Sequence, residues 1–208
     1  MRSADAYADL LKLGRPIVET GEAATRLGLS TKRTSELLGS LQEAGLARRV
    51  RHGLWALNPK LDPFAVPPYL TAPFPAYVSV WSALARHGMI EQIPRTISVC
   101  STVEPRRTET SFGVYEIHQI VPELFDGYTG DDLTGYLATP EKALFDSVYL
   151  RAPQGGPLRL PELELPEGFD ADNQLAQWVG RIARPRLQTL VSRGLAEAIN
   201  SARMESIE

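Results

Sequence analysis

Glu19-Thr-Gly-Glu-Ala-Ala-Thr-Arg-Leu-Gly28-Leu-Ser30-Thr-Lys-Arg-Thr-Ser-Glu-Leu-Leu-Gly-Ser-Leu-Gln-Glu-Ala-Gly45-Leu-Ala-Arg-Arg-Val50-Arg-His-Gly53-Leu-Trp-Ala-Leu57 is the stretch on which the reading turns. Its first part predicts a short helix from Thr20 that stops at Gly28, where glycine can take positive φ without steric cost. Ser30 follows as an N-cap whose hydroxyl can accept an orphan backbone N–H. A second helix is expected from Thr31 to about Ala44, stopping at Gly45. Leu37, Leu38, Leu41 and Ala44 mark its buried face. Lys32, Ser35, Glu36, Gly39 and Glu43 fall on the opposite face, with Arg33 on the flank. Beyond Gly45 the pattern changes to two short strands, Leu46–Val50 and Leu54–Leu57, joined across Arg51-His52-Gly53. Small helices followed by a basic hairpin predict a winged helix-turn-helix over residues 1–58.

Such a unit suits duplex DNA for simple reasons. Phosphates need mobile cations, which Arg48, Arg49, Arg51 and His52 supply on the hairpin. Base edges need polar groups near a helix N-terminus, which Ser30, Thr31, Lys32, Arg33 and Ser35 supply. The plainer alternative is that helix-hairpin units also mediate protein contacts and that charged runs only solvate a surface. The division of charge favours DNA. The chain as a whole carries −3, but residues 1–60 hold 10 Lys+Arg against 6 Asp+Glu, net +4, and the remainder carries −7. A basic head thus precedes an acidic body.

At 208 residues and 43% hydrophobic composition the chain can bury one sizeable core and a second small one. One cysteine, Cys100, excludes an internal disulfide framework and fits a reducing compartment. No run approaches the length of a membrane span, and Met1–Gly14 lacks the apolar centre of a signal peptide, so a cytoplasmic location is expected.

Residues 59–76 form the second block. Six prolines lie between Asn58 and Ala76, and the expectation is a stretch with neither helix nor central strand. It reads either as a semi-rigid connector or as an irregular loop wrapped over one core. Residues 77–208 are expected to form a mixed α/β domain, which makes the whole an α+β protein. Ser79–Gly88 predicts a helix, and Thr96–Thr102 and Gly113–Ile120 alternate as strands. Glu104–Thr110 reads as a turn or hairpin tip, and Gly135–Ala138 as a brief third strand. Thr139-Pro140-Glu141-Lys142 is the clearest helix start, with Ala143, Leu144, Val148 and Leu150 as packing residues. Gly155-Gly156 reads as a turn. A last helical region, Asn173 to about Met204, should break at Pro185.

No catalytic constellation is assigned from the sequence. The three histidines, His52, His87 and His118, have no partners at metal-ligand spacing, and no Gly-rich phosphate loop precedes a helix. No metal or other cofactor is therefore expected. His118 beside Glu116 reads as a packing contact, since no nucleophile is placed near it. Cys100 reads as a small core residue and His87 as a helix C-terminal residue. The basic tail, residues 174–208, can touch DNA again, bind an acidic partner, or pair with the acidic middle, and internal pairing is favoured.

Three motifs carry a family resemblance. They are Tyr77-Val-Ser-Val-Trp-Ser-Ala-Leu-Ala-Arg-His-Gly-Met-Ile-Glu-Gln-Ile-Pro, Tyr115-Glu-Ile-His-Gln-Ile, and Tyr136-Leu-Ala-Thr-Pro-Glu-Lys-Ala-Leu-Phe-Asp. In that order, behind a winged helix, they resemble the AbiEi-type antitoxins over about residues 5 to 195. The resemblance implies the antitoxin half of a bicistronic abortive-infection module, not an enzyme, which counteracts a nucleotidyltransferase-like toxin. It also implies repression of its own operon through inverted repeats in promoter DNA. Ser79, Ser82, His87, Glu141, Lys142 and Asp146 are motif residues, structural first and functional second. The alternative reading is a one-component regulator whose C-terminal domain senses a ligand.

Overall fold

The computed structural model describes residues 3–154, 163–169 and 173–205. Among these the chain is mixed α and β, with eight α-helices and two sheets. The turn expected at Gly155-Gly156 lies outside the described residues.

The N-terminal part contains α1 (Ser3–Leu11), β1 (Ile17–Glu19), α2 (Thr20–Leu27), α3 (Thr31–Glu43), β2 (Arg48–Arg51) and β3 (Leu54–Ala56). The expected stops and caps are present. Gly28 ends α2 at φ 64°, and Ser30 Oγ accepts the N–H of Arg33 at the start of α3. Leu38 and Leu41 are buried as expected, whereas Ala44 is exposed and Leu37 half-buried. Thr34 takes the missing inward position, its hydroxyl donating to the Ser30 carbonyl at 3.0 Å. The hairpin strands are shorter than expected, because the Leu46 and Ala47 N–H groups both turn back to the Leu41 carbonyl to close α3. The strand order is β1-β3-β2, so the hairpin gains a third strand from Ile17–Glu19. Leu10, Val18, Ala23, Leu38, Leu41, Trp55 and Leu57 form the core beneath.

The proline segment departs from expectation. It holds a 3-10 turn at Pro63–Ala65 and a short helix, α4 (Pro67–Thr71), with proline in the first helical turn. Proline is tolerated there because those N–H groups have no intrahelical partner in any case. Ala76 then opens β4 (Ala76–Val78), an interior strand of the larger sheet. Leu61, Ala65, Val66 and Leu70 are buried in one cluster with Ile17, Val50, Leu54 and Ala56 on one side and Val99, Tyr115 and Ile117 on the other. The segment is the shared core between the two sheets.

The larger sheet has six strands in the order β6-β7-β5-β4-β9-β8. These are β5 (Ile97–Ser101), β6 (Arg106–Thr110), β7 (Gly113–Gln119), β8 (Tyr128–Asp131) and β9 (Gly135–Ala138), with β4 inside. β5–β7 and β4–β9 pair in parallel; the other neighbours are antiparallel. The segment read as a turn, Glu104–Thr110, supplies edge strand β6. Its Arg-Arg-Thr-Glu-Thr sequence carries the charges that keep an exposed edge from pairing with another chain.

Helix α5 (Val80–Arg86) follows β4 directly, and α6 (Pro140–Arg151) follows β9. Thr139 caps α6 by accepting the Lys142 N–H, as expected. A one-sided packing pattern was not found: Glu141 to Val148 are all buried, and Leu150 is only half-buried. Helix α6 is the axis of the body core, packed against α5, α7 (Gln174–Gly180) and α8 (Pro185–Glu205). The break at Pro185 falls where expected. The acidic middle and basic tail meet at Arg181, whose guanidinium pairs with Asp126. No helix among the described residues is long and apolar enough to cross a membrane.

Candidate nucleic-acid interface

The nine residues expected to face DNA fall into two groups. Ser30, Thr31, Lys32, Arg33 and Ser35 form an exposed row at the α3 N-terminus. Ser30 Oγ accepts the cap hydrogen bond, and its O–H donates to no partner among the described residues. The Lys32 and Arg33 side chains have no ion pair or hydrogen bond among the described residues. No hydrogen bond or ion pair among the described residues joins this row to the hairpin.

Strand alternation divides the hairpin arginines. Val50 is buried at 2% exposure, so Arg48, two residues earlier, shares its inward face while Arg49 and Arg51 point outward. A register shift between Arg49 and Arg51 accompanies the turn of the strand at Val50. Arg48 is occupied by the body. Its Nε donates to Ser111 Oγ at 3.1 Å, its Nη2 donates to the Ser111 carbonyl, and its guanidinium lies 4.4 Å over the Phe112 ring. The Ser111 N–H in turn donates to the Val50 carbonyl at 3.1 Å. Arg48 is thereby a bracket between the hairpin and the β6–β7 turn.

Arg49 remains exposed, donating to His52 Nδ1 at 2.9 Å and lying 5.6 Å from the Trp55 ring centre. That contact orients the guanidinium without neutralising it. Arg51 is exposed and has no side-chain partner among the described residues. The turn itself is anchored from below, where the Gly53 carbonyl accepts the Thr20 N–H at 2.9 Å and Trp55 Nε1 donates to Thr20 Oγ1 at 3.1 Å. Gln42 near the end of α3 accepts the Arg49 N–H at 2.9 Å, tying that helix to the hairpin.

Ser111 and Phe112 were not singled out in the sequence. The signal was nonetheless present, because Val50 is the one apolar residue in Arg-Arg-Val-Arg and fixes which arginines share its face.

The body motifs converge on a buried polar cluster rather than a surface. Lys142 and Asp146, both 0% exposed, lie 2.8 Å apart one helical turn from each other. Asp146 Oδ2 accepts from Tyr77 Oη at 3.0 Å and from Ser79 Oγ at 2.7 Å. Lys142 also donates to the Leu124 carbonyl at 2.7 Å and lies over Phe145 and Trp178 at 4.8 and 5.2 Å. Asp146 Oδ1 makes the ionic contact to Lys142 and has no aligned hydrogen bond among the described residues. Burial pushes the Tyr77 phenol and the Cys100 thiol upward, reinforced by the Asp146 charge, so both stay protonated and Cys100 is an inert core residue. Ser82 and His87 are spent on backbone. Ser82 Oγ accepts the Ser98 N–H, and His87 Nε2 donates to the Ala138 carbonyl at 2.7 Å.

Among the described residues no group of His, Cys, Asp and Glu is arranged to hold a metal ion. No protein-family model matches this chain, and no curated protein is found similar to it.

Proposed function

We propose that residues 1–58 form a winged helix-turn-helix that binds promoter DNA, and that the chain is a cytoplasmic antitoxin repressing its own operon. In this reading α3 enters the major groove and the hairpin wing meets the flanking backbone. The observation that carries it is the set of uncompensated cations, Lys32, Arg33 and Arg51 with the oriented Arg49, on a head of net charge +4. Arg48 is left out of the contacting set because its donors are engaged by Ser111. The body then counteracts a nucleotidyltransferase-like toxin without catalysis of its own. That part rests on the three motifs and their order. Expression of such a toxin with and without this chain tests it, together with a promoter reporter. Failure to restore growth while the promoter is repressed would leave a regulator and remove the antitoxin.

Two results are expected at the interface. Replacing Arg49 and Arg51 together with Ala weakens binding to every duplex and lowers the slope of log K against log salt by about 0.9 per lost phosphate contact. Arg48→Ala leaves that slope unchanged. Titrations at several salt concentrations check both, and a slope indifferent to the double substitution would remove the wing from the DNA. Replacing Lys32 or Arg33 instead relaxes sequence preference, by about 1–3 kcal/mol where the side chain makes a bidentate base contact. Equal losses on operator and random DNA would count against that role.

A specific observation favours the second reading, a regulator whose body senses a ligand. A cleft lined by both apolar and charged side chains opens beside α5 and α6 on the larger sheet.

A further inference from the structure

The cleft has a volume of about 400 Å³ and is lined by Val80 and Trp81 at the start of α5, Ser98 on β5, Glu116 and His118 on β7, and Arg151 at the end of α6. Parallel pairing sets Ser98 opposite Glu116 and Cys100 opposite His118, so these four share one sheet face. The Ser98 N–H donates to Ser82 Oγ at 2.9 Å, while its hydroxyl makes no hydrogen bond among the described residues and is open to the cleft.

The backbone gives a second sign. Val80 adopts φ 53°, a left-handed conformation that costs a β-branched residue about 1–3 kcal/mol and is retained mainly at functional positions.

The charges define the complement. Glu116 is exposed and has no ion pair among the described residues; its cross-strand neighbour Arg107 turns to Glu109 at 3.6 Å instead. Arg151 donates to Gln154 Oε1 at 2.7 Å, a neutral partner that orients the guanidinium without neutralising it. Glu116 and Arg151 do not come within 4.0 Å of each other. Between them, burial holds His118 below its usual range despite the opposing pull of Glu116 and Asp146, which leaves a neutral imidazole. Among the described residues the cleft therefore offers a carboxylate and a guanidinium without ion pairs, a neutral imidazole and an indole wall. A phosphate-bearing ligand would bring about two negative charges to a site where Glu116 cancels Arg151. A zwitterion matches it.

We propose that this cleft binds a free α-amino acid with an apolar or aromatic side chain, its carboxylate on Arg151, its ammonium on Glu116 and its side chain against Trp81. The assignment stands whether or not the head binds DNA. Titration of the full chain with the common L-amino acids, read by tryptophan fluorescence and by thermal stability, tests it. N-acetylated and carboxamide derivatives, nucleosides and nucleotides form the comparison arms. Saturable binding of one or a few apolar or aromatic amino acids is expected. Glu116→Gln and Arg151→Gln each weaken it at least roughly tenfold, the loss expected on removing a charge-assisted bond. Both residues are exposed, so neither substitution touches the core, and thermal stability without ligand checks that each variant folds. The N-acetyl derivative binds the parent about as weakly as the free amino acid binds Glu116→Gln. No binding at millimolar concentration overturns the proposal. So does preferential binding of a nucleotide or nucleoside, or undiminished affinity in the two variants.

Discussion

Replacing Asp146 with Ala is expected to cost about 3–5 kcal/mol of folding stability, because it strands a charge where water cannot reach it. The Lys142 ammonium is fully buried, and Asp146 is its one counter-ion among the described residues. The same substitution removes the acceptor for the Tyr77 and Ser79 hydroxyls, which have no access to solvent in which to replace it. Lys142 would retain one carbonyl and three aromatic faces, which moderate the loss without balancing the charge. The double variant Lys142→Met, Asp146→Asn keeps an acceptor for both hydroxyls and removes the stranded charge, so it should lie closer to the parent than Asp146→Ala does. Urea unfolding of the three proteins measures this. A loss below about 1 kcal/mol for Asp146→Ala, or an equal loss in the double variant, would mean that the ion pair does not organise the body core.

Gly135→Ala is expected to cost about 2–5 kcal/mol, the sum of a left-handed backbone penalty and an unavoidable clash. Gly135 opens β9 at φ 86°, and a β-carbon there would overlap the Phe64 carbonyl oxygen and lie 2.8 Å from the Ala65 nitrogen. These are backbone atoms of the 3-10 turn in the proline segment, so no rotamer change relieves the contact. Gly14→Ala is the matched control. Its φ is 67°, but nothing lies within 4 Å of the added carbon, so it carries the backbone penalty alone, about 1–2 kcal/mol. Denaturant midpoints with unchanged slopes separate the two. Equal losses at both sites would show that the turn yields and that β9 is not held against it.

Features with local causes were legible from the chain. The start of α3 follows from a serine hydroxyl reaching a backbone N–H three residues away, and the start of α6 from Thr139 and Pro140. Both strands that alternate clearly, β5 and β7, were found for the same reason. Strand β6 was missed because its five polar residues carry no alternation of their own, and its pairing is dictated by β7. β1, β4 and β8 span only three or four residues, too few for a period to appear. The proline segment was misjudged because proline excludes helix interiors but not first turns. At the interface, Arg48, Arg49 and Arg51 looked equivalent as charges; only burial of Val50 separates them. Lys142 and Asp146 show the same limit from the other side. Spaced as a surface ion pair would be, they are revealed as interior only by what packs over them.

The Arg48 bracket and the proline segment have a consequence for anyone who would borrow the head. A fragment ending near Leu57 would leave Ile17, Val50, Leu54 and Ala56 facing water, along with an arginine whose hydrogen-bond acceptors had been left behind. The natural unit of transplantation therefore includes the first 58 residues, the prolines after them and the edge of the second sheet. Anything fused to such a graft inherits a fixed bearing relative to the β2–β3 hairpin, as a compass needle keeps its angle to the card on which it is mounted.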